Sequence, residues 1–285
     1  MGPRDYLDSK DMSNSMDREG IPDISFIEAT GSELEKARIR WILFGEKPGQ
    51  NIVEQLAELQ NENGGFPYDM VKGNLSTVDN TLVGLLWMHE LGLFNSRLAD
   101  RAMSYILAVQ KQDGGWDEDP AISQYGLPPW IRIGDTTSRL YLSSYAAYWL
   151  ALGNYTTSTA FEKALAFIIK HQDETGKFQG YLHTTWIAAS VLFMAGSKYR
   201  ERAEKALQFL EERPLSEWAD SQIAWALDCL NNAGLPKDHP FVKAGLNELT
   251  HRRRSDGSWA SEDGASFDVG ATISAMKTLK RYGLL

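Results

Sequence analysis

Apolar residues recur with a helical period along most of this chain, in two alternating kinds of segment. In one kind, Ala102, Tyr105, Ile106 and Val109 fall at i, i+3, i+4 and i+7, a single apolar stripe on an otherwise polar helix. Ala164, Phe167 and Ile168 repeat that stripe sixty-two positions later. The other kind is apolar nearly all round: Thr81–Met88, Ser143–Leu152, Thr184–Ala195, Ile223–Leu230 and Gly270–Leu279, each ending near a glycine. A helix apolar on every side must be buried, whereas a striped one covers a core and faces solvent. Alternation of the two, with a further helix at Glu33–Leu43, predicts an all-α domain, an α/α toroid of about six inner–outer helix pairs.

The striped helices also share an ending. Residues 101–116 and 163–178 follow one template: basic residue, Ala, two spacers, aromatic, Ile, three spacers, Gln, three spacers, Gly, one spacer, aromatic. Gly114 and Gly176 supply the turn, and Gln110, Gln172, Trp116 and Phe178 are placed to staple one helical hairpin to the next. Weaker copies end in Gly64-Gly65-Phe66 and in Asp256-Gly257-Ser258-Trp259, and Lys205-Ala206 with Phe209-Leu210 is a half-copy without the Gln-Gly ending. An internal repeat of this kind sets the architecture before any single residue does.

The template resembles the Gln-Trp repeat of squalene and hopene cyclases, which recurs more loosely in the β subunits of protein prenyltransferases. The resemblance covers roughly residues 33–285. It implies a brace for the barrel, so a residue is not catalytic for matching it. The full-length cyclases carry two such barrels; this stretch has room for one, as a domain over residues 26–285 behind a polar, flexible tail at 1–25.

Composition narrows the function. A net charge of −9 and the lack of a basic stripe exclude a nucleic-acid surface; Arg252-Arg253-Arg254 reads as a solvated helix end. No apolar run reaches the length of a membrane span. The single Cys229 and the absence of a secretory leader lead us to expect a cytoplasmic protein. The resemblance keeps a peripheral membrane contact open.

Candidate chemistry gathers where the inner helices begin. In cyclases that protonate an alkene, the family motif is Asp-x-Asp-Asp-Thr with the middle Asp as proton donor. The matching stretch is Thr77-Val78-Asp79-Asn80-Thr81, so the resemblance implies Asp79 as general acid, with Thr77 and Asn80 in place of the flanking acids. Ser76, Thr77 or Asp79 would also serve as the helix cap, the commoner role of a short polar residue at such a start. Asp135, His183, Asp220 and Asp268 open other inner helices, and parallel inner helices would gather them in a ring at one mouth. Trp87, Tyr145, Trp149, Trp186 and Trp225 would line the lumen, as cation-stabilising rings or as core. Asp117 and Asp119 are weak Mg²⁺ candidates should the substrate carry a diphosphate, and Arg132 and Arg139 are cationic candidates beside them. Zinc lacks a ligand set, Cys229 lying in an apolar run, and no cofactor is expected with assurance. The sequence thus predicts a terpenoid cyclase or isomerase acting on an isoprenoid through Asp79. The alternatives are a non-catalytic toroid that binds an isoprenoid, another lipid or a protein, and a component like a prenyltransferase β subunit. Self-association or a partner subunit would fit any of them.

Overall fold

The computed structural model describes residues 22–285. Twelve α-helices alternate in two layers: α1 (Ser25–Thr30), α2 (Glu33–Phe44), α3 (Gln50–Leu59), α4 (Val78–Glu90), α5 (Arg97–Ala108), α6 (Thr136–Leu152), α7 (Thr159–Ile169), α8 (Leu182–Met194), α9 (Arg200–Glu211), α10 (Asp220–Asn232), α11 (Pro240–Arg252) and α12 (Asp268–Arg281). The even-numbered helices each pack on the next, α2 to α4, α6, α8, α10 and α12, and α12 packs back on α2. This closed inner ring is the α/α toroid expected. Helices α3, α5, α7, α9 and α11 each cover the inner helix before them, and α1 lies against α12 and α2. Six pairs result.

The inner helices begin two to seven residues before their apolar runs, and in α4 and α6 the start is set by a side-chain cap. Thr77 accepts from the Asn80 N–H for α4 and Asp135 from the Ser138 N–H for α6. Such caps satisfy amide donors that have no partner within the helix.

The repeated template acts as a staple. Gln110 Nε2 donates to the Gly114 carbonyl of its own turn at 2.9 Å and to the Ala160 carbonyl of α7 at 2.8 Å. Gln60 bridges Gly64 and Leu98, and Gln172 bridges Gly176 and Arg202, in the same way. The closing aromatic is held at its backbone: the N–H of Phe66, Trp116, Phe178 and Trp259 donates to Thr81, Ser143, Thr185 and Thr272 respectively. Each acceptor lies on the inner helix that follows. Glycine is required in the turn: Gly114 has φ +91°, and a Cβ there would press into the Lys163 carbonyl of α7.

Ring closure uses the segment that composition marks as solvated. Arg252 donates to the carbonyls of Leu215 and Trp218 and pairs with Asp220, Arg253 reaches the Asp23 carbonyl, and Arg254 pairs with Asp268 at 2.7 Å. The triplet is therefore a seam between the last outer helix and the first, not a free helix end; guanidinium forks gather several carbonyls at once. Most of the expected tail lies outside the described residues, but Asp23 belongs to this seam and Ser25 opens α1.

A second seam is buried at the opposite end of the ring. Glu90 of α4 pairs with Arg38 of α2 at 2.6 Å and with Lys277 of α12 at 2.7 Å; Lys277 also pairs with Asp228 of α10 at 2.9 Å, which binds Arg281 at 2.6 Å. The two cations draw the Glu90 carboxyl down to about 2 despite its burial.

Gly114→Ala should destabilise the protein by roughly 2–4 kcal/mol in urea unfolding, combining strained backbone with overpacking. Gln110→Ala should cost about 1–3 kcal/mol because two carbonyls lose their donor. Near-neutral effects from both would remove the staple from the account of stability.

Candidate active site

The N-terminal end of α4 is built from three stretches of chain. A two-residue antiparallel pair, β1 (Phe66–Pro67) with β2 (Ser76–Thr77), delivers the chain into the helix. Thr77 is the N-cap, and its hydroxyl donates to Asn80 Oδ1 at 2.8 Å while that oxygen accepts from the Asp69 N–H. Thr77 and Asn80 are thus occupied in capping and in holding the loop ahead of the helix. Asp79 is left free of the cap.

The Asp79 carboxylate accepts from the Tyr141 hydroxyl of α6 at 3.2 Å. Part of its surface faces open space, yet protein atoms crowd it enough that burial pushes its carboxyl up to about 6, against the pull of Tyr141. Its own backbone N–H and that of Val78 donate to the Glu118 carboxylate, both at 2.8 Å. Glu118 is buried, and burial pushes its carboxyl up to about 8 against those two N–H bonds, with the Asp79 charge adding to the rise. Two carboxyls so placed resist ionising together.

From Asp79 a file of rings runs down the lumen. Tyr141 stacks on Tyr145 with centroids 6.2 Å apart, Tyr145 meets Trp149 at 5.9 Å, and Trp149 meets His89 of α4 at 5.7 Å. Beside it, His183 lies between Tyr181 at 5.0 Å and Trp225 at 5.6 Å, with Tyr141 edge-on at 4.9 Å. Burial lowers the His183 imidazole to about 4, so it is neutral near pH 7. Trp186 stacks on Trp218. Four of the expected lining residues (Tyr145, Trp149, Trp186 and Trp225) thus join one cluster; Trp87 is half-buried and takes no part in the ring contacts among the described residues.

The expected acid ring is only partly assembled. Asp135 is the cap of α6. Asp220 accepts from the Ala260 N–H and pairs with Arg252, while Asp268 accepts from the Ser261 N–H and pairs with Arg254. Both carboxylates are spent on the turn after Trp259, because a helix start beside that turn offers the nearest acceptor for its amides. Asp117 accepts from the Glu118 and Gly134 N–H groups, and Asp119 from Ala121, so both are consumed in shaping the 117–134 insertion. Arg139 is bound to Asp113, and Arg132 is exposed in a cleft with Trp130 and Tyr181. Cys229 is fully buried, and its thiol is pushed up by desolvation. Among the described residues, no three potential ligands cluster as a metal site.

Tyr141 and Glu118 complete the site; Tyr141 is not singled out by the sequence, and Glu118 stands there only within the acidic run Asp117-Glu118-Asp119, as a possible Mg²⁺ ligand and not as a partner of the α4 start. Tyr141 sits one turn before Tyr145, so the i, i+4 spacing held a signal. Glu118 reaches α4 across a loop, which no local pattern records.

No family model matches the chain. It is 25% identical over 256 residues to a squalene-hopene cyclase of Schizosaccharomyces japonicus and 24% identical over 237 residues to a probable squalene–hopene cyclase of Sinorhizobium fredii. These matches take in 74% and 69% of this chain but 38% and 36% of the relatives, so the chain spans little more than a third of their length. Among solved structures it resembles the type II terpene cyclase MstE from Scytonema in complex with its product merosterolic acid A, with TM-score 0.60 and 16% identity over 89% of this chain and 88% of that one. It also resembles ent-copalyl diphosphate synthase from Streptomyces platensis, with TM-score 0.57 and 14% identity over 88% of this chain and 50% of that one. The chain is a terpenoid cyclase-like α/α toroid. Among the described residues, no helix is long and apolar enough to cross a membrane.

The Asp79 carboxyl, ordinarily near 3.8, holds its proton to about pH 6 in the folded protein. Its ionisation therefore takes stability away as pH rises from about 4 to 6, and the loss persists above that. Asp79→Asn should be more stable than wild type at pH 8, by on the order of 2–3 kcal/mol at most, and equal to it near pH 4. Thermal melts at the two pH values check this, and a variant weaker at pH 8 would contradict it.

Proposed function

We propose that this protein is a terpenoid cyclase or isomerase of the protonation-initiated kind, with Asp79 as general acid toward an alkene of an isoprenoid. The observation that carries the reading is a carboxyl freed from capping and kept protonatable by burial at the head of a file of aromatic rings. A general acid works best with a pKa near the working pH. Protonating a double bond leaves a carbocation. The π faces of Tyr141, Tyr145 and Trp225 are then the cation partners at hand. Tyr141, as donor to Asp79, would stabilise the carboxylate left after proton transfer.

The substrate class follows the neighbours. MstE has been solved with geranylgeranyl dihydroxybenzoate as substrate, a polyprenyl chain on an aromatic head. An isoprenoid without a diphosphate suits this site, because Asp117 and Asp119 are engaged by backbone amides.

A second reading has its own support. Tyr145, Tyr148, Trp149 and Trp186 are each 3% exposed or less, so the lower lumen is packed by its own side chains. That packing favours a binding or interaction toroid in which the acid is inactive, whether alone or, like a prenyltransferase β subunit, beside a partner.

The test is turnover of linear isoprenoids, from geranyl diphosphate to squalene and including a geranylgeranyl arene, with products read by mass spectrometry. Wild type should give cyclised or isomerised product at a rate that falls as pH rises through about 6. Asp79→Asn should lose at least about a hundredfold, and Tyr141→Phe should lose less. No product from any substrate, with an isoprenoid retained on the purified protein, would replace the enzyme by the binding toroid.

A further inference from the structure

At the C-terminal ends of the inner helices, α2, α4, α12 and the turn after α4 enclose a cleft of about 650 Å³. Its volume is that of a site for a small organic ligand. Trp41 and Phe94 give it apolar walls, and Lys277, Lys280 and Arg281 approach it from α12.

The charges there do not balance. The buried seam sets Arg38, Lys277 and Arg281 against only Glu90 and Asp228. Exposed Lys280 adds another cation at the rim. His89, on the cleft wall, contributes no charge near neutral pH, since burial and the neighbouring Arg281 and Lys277 lower it to about 4. A local positive excess in a chain of net charge −9 is set against its background. Arg281 binds Asp228 through Nη1, and among the described residues its other N–H groups and the Lys280 ammonium have no acidic partner.

This end is separate from Asp79. Asp79 and Glu90 are eleven positions apart along α4, about 16 Å at the helical rise. Tyr145 and Trp149, at 3% and 1% exposure, fill the lumen between them.

We propose that this cleft is a second ligand site, selective for a small organic anion: a carboxylate or phosphate monoester on an aromatic or branched apolar body. Arg281 and Lys280 take the anion, and Trp41 and Phe94 take the body. Charge-assisted bonds from a guanidinium fork suit either anion. The inference is independent of the chemistry proposed for Asp79.

The test is calorimetric titration of the full chain with 2-naphthoate, 2-naphthyl phosphate, 2-naphthol and inorganic phosphate. At least one naphthyl anion should bind about tenfold or more tightly than naphthol and than inorganic phosphate, and whichever anion binds tighter identifies the head group. Lys280→Glu, at an exposed position outside the buried seam, should weaken that anion about tenfold or more with an unchanged melting profile, and Asp79→Asn should leave binding as it is. Equal binding of naphthol, indifference to Lys280→Glu, or loss of binding in Asp79→Asn would each overturn the proposal, the last by placing the ligand in the lumen.

Discussion

Everything in this molecule depends on one hydrogen-bonded constraint: a glutamine amide that holds the turn of its own helix and the start of the next outer helix together. Gln60, Gln110 and Gln172 each span two backbone carbonyls in this way. A buried turn of this kind would otherwise leave acceptors without partners, at a cost comparable to a lost hydrogen bond apiece. Because these three staples fix successive repeats against one another, they set the spacing of that side of the ring, which the Arg252-Arg253-Arg254 seam then closes. The closing aromatic then locks each turn to the inner helix that follows, through the Ser or Thr in its first turns.

Closure buries a network of linked ions at one end of the ring. Arg38, Glu90, Lys277 and Asp228 join four of the six inner helices through buried pairs. Removing one member of such a network leaves an uncompensated charge in a medium that solvates it poorly. At the other end Asp220 and Asp268 are paired with Arg252 and Arg254, whereas Asp79 has no cationic partner among the described residues. There, an acid faces a tyrosine hydroxyl and aromatic rings, with a second carboxyl behind its helix. Both ends of the barrel thus hold satisfied ions, and one of them also keeps a carboxyl in an environment that favours its neutral form.

The fold was legible in the sequence because its signals are local. Stripe, glycine and glutamine recur at fixed offsets, and helices apolar all round can only be interior. Asp79 was legible through the resemblance and through its place before a buried helix. The partners of Asp79 were less so. Tyr141 stood one turn from Tyr145, but Glu118 acts through a loop that folds back on α4, and the packing of that loop has no sequence period. Asp220 and Asp268 open inner helices as Asp79 does, yet the turn after Trp259 lies near enough to use their carboxylates. The Arg252-Arg253-Arg254 run was misread for the same reason: its partners Asp23, Asp220 and Asp268 are distant in sequence, and composition alone describes only the run.

The account rests on Asp79 being an acid that keeps its proton far longer than an ordinary aspartate. Carbonyl-carbon NMR of the full chain labelled at aspartate, assigned by comparison with Asp79→Asn, measures this directly. The account predicts that the Asp79 carboxyl titrates near pH 6, with a second, smaller inflection at higher pH as the Glu118 carboxyl ionises. A single titration near 3.8, the value of a solvated aspartate, would contradict it.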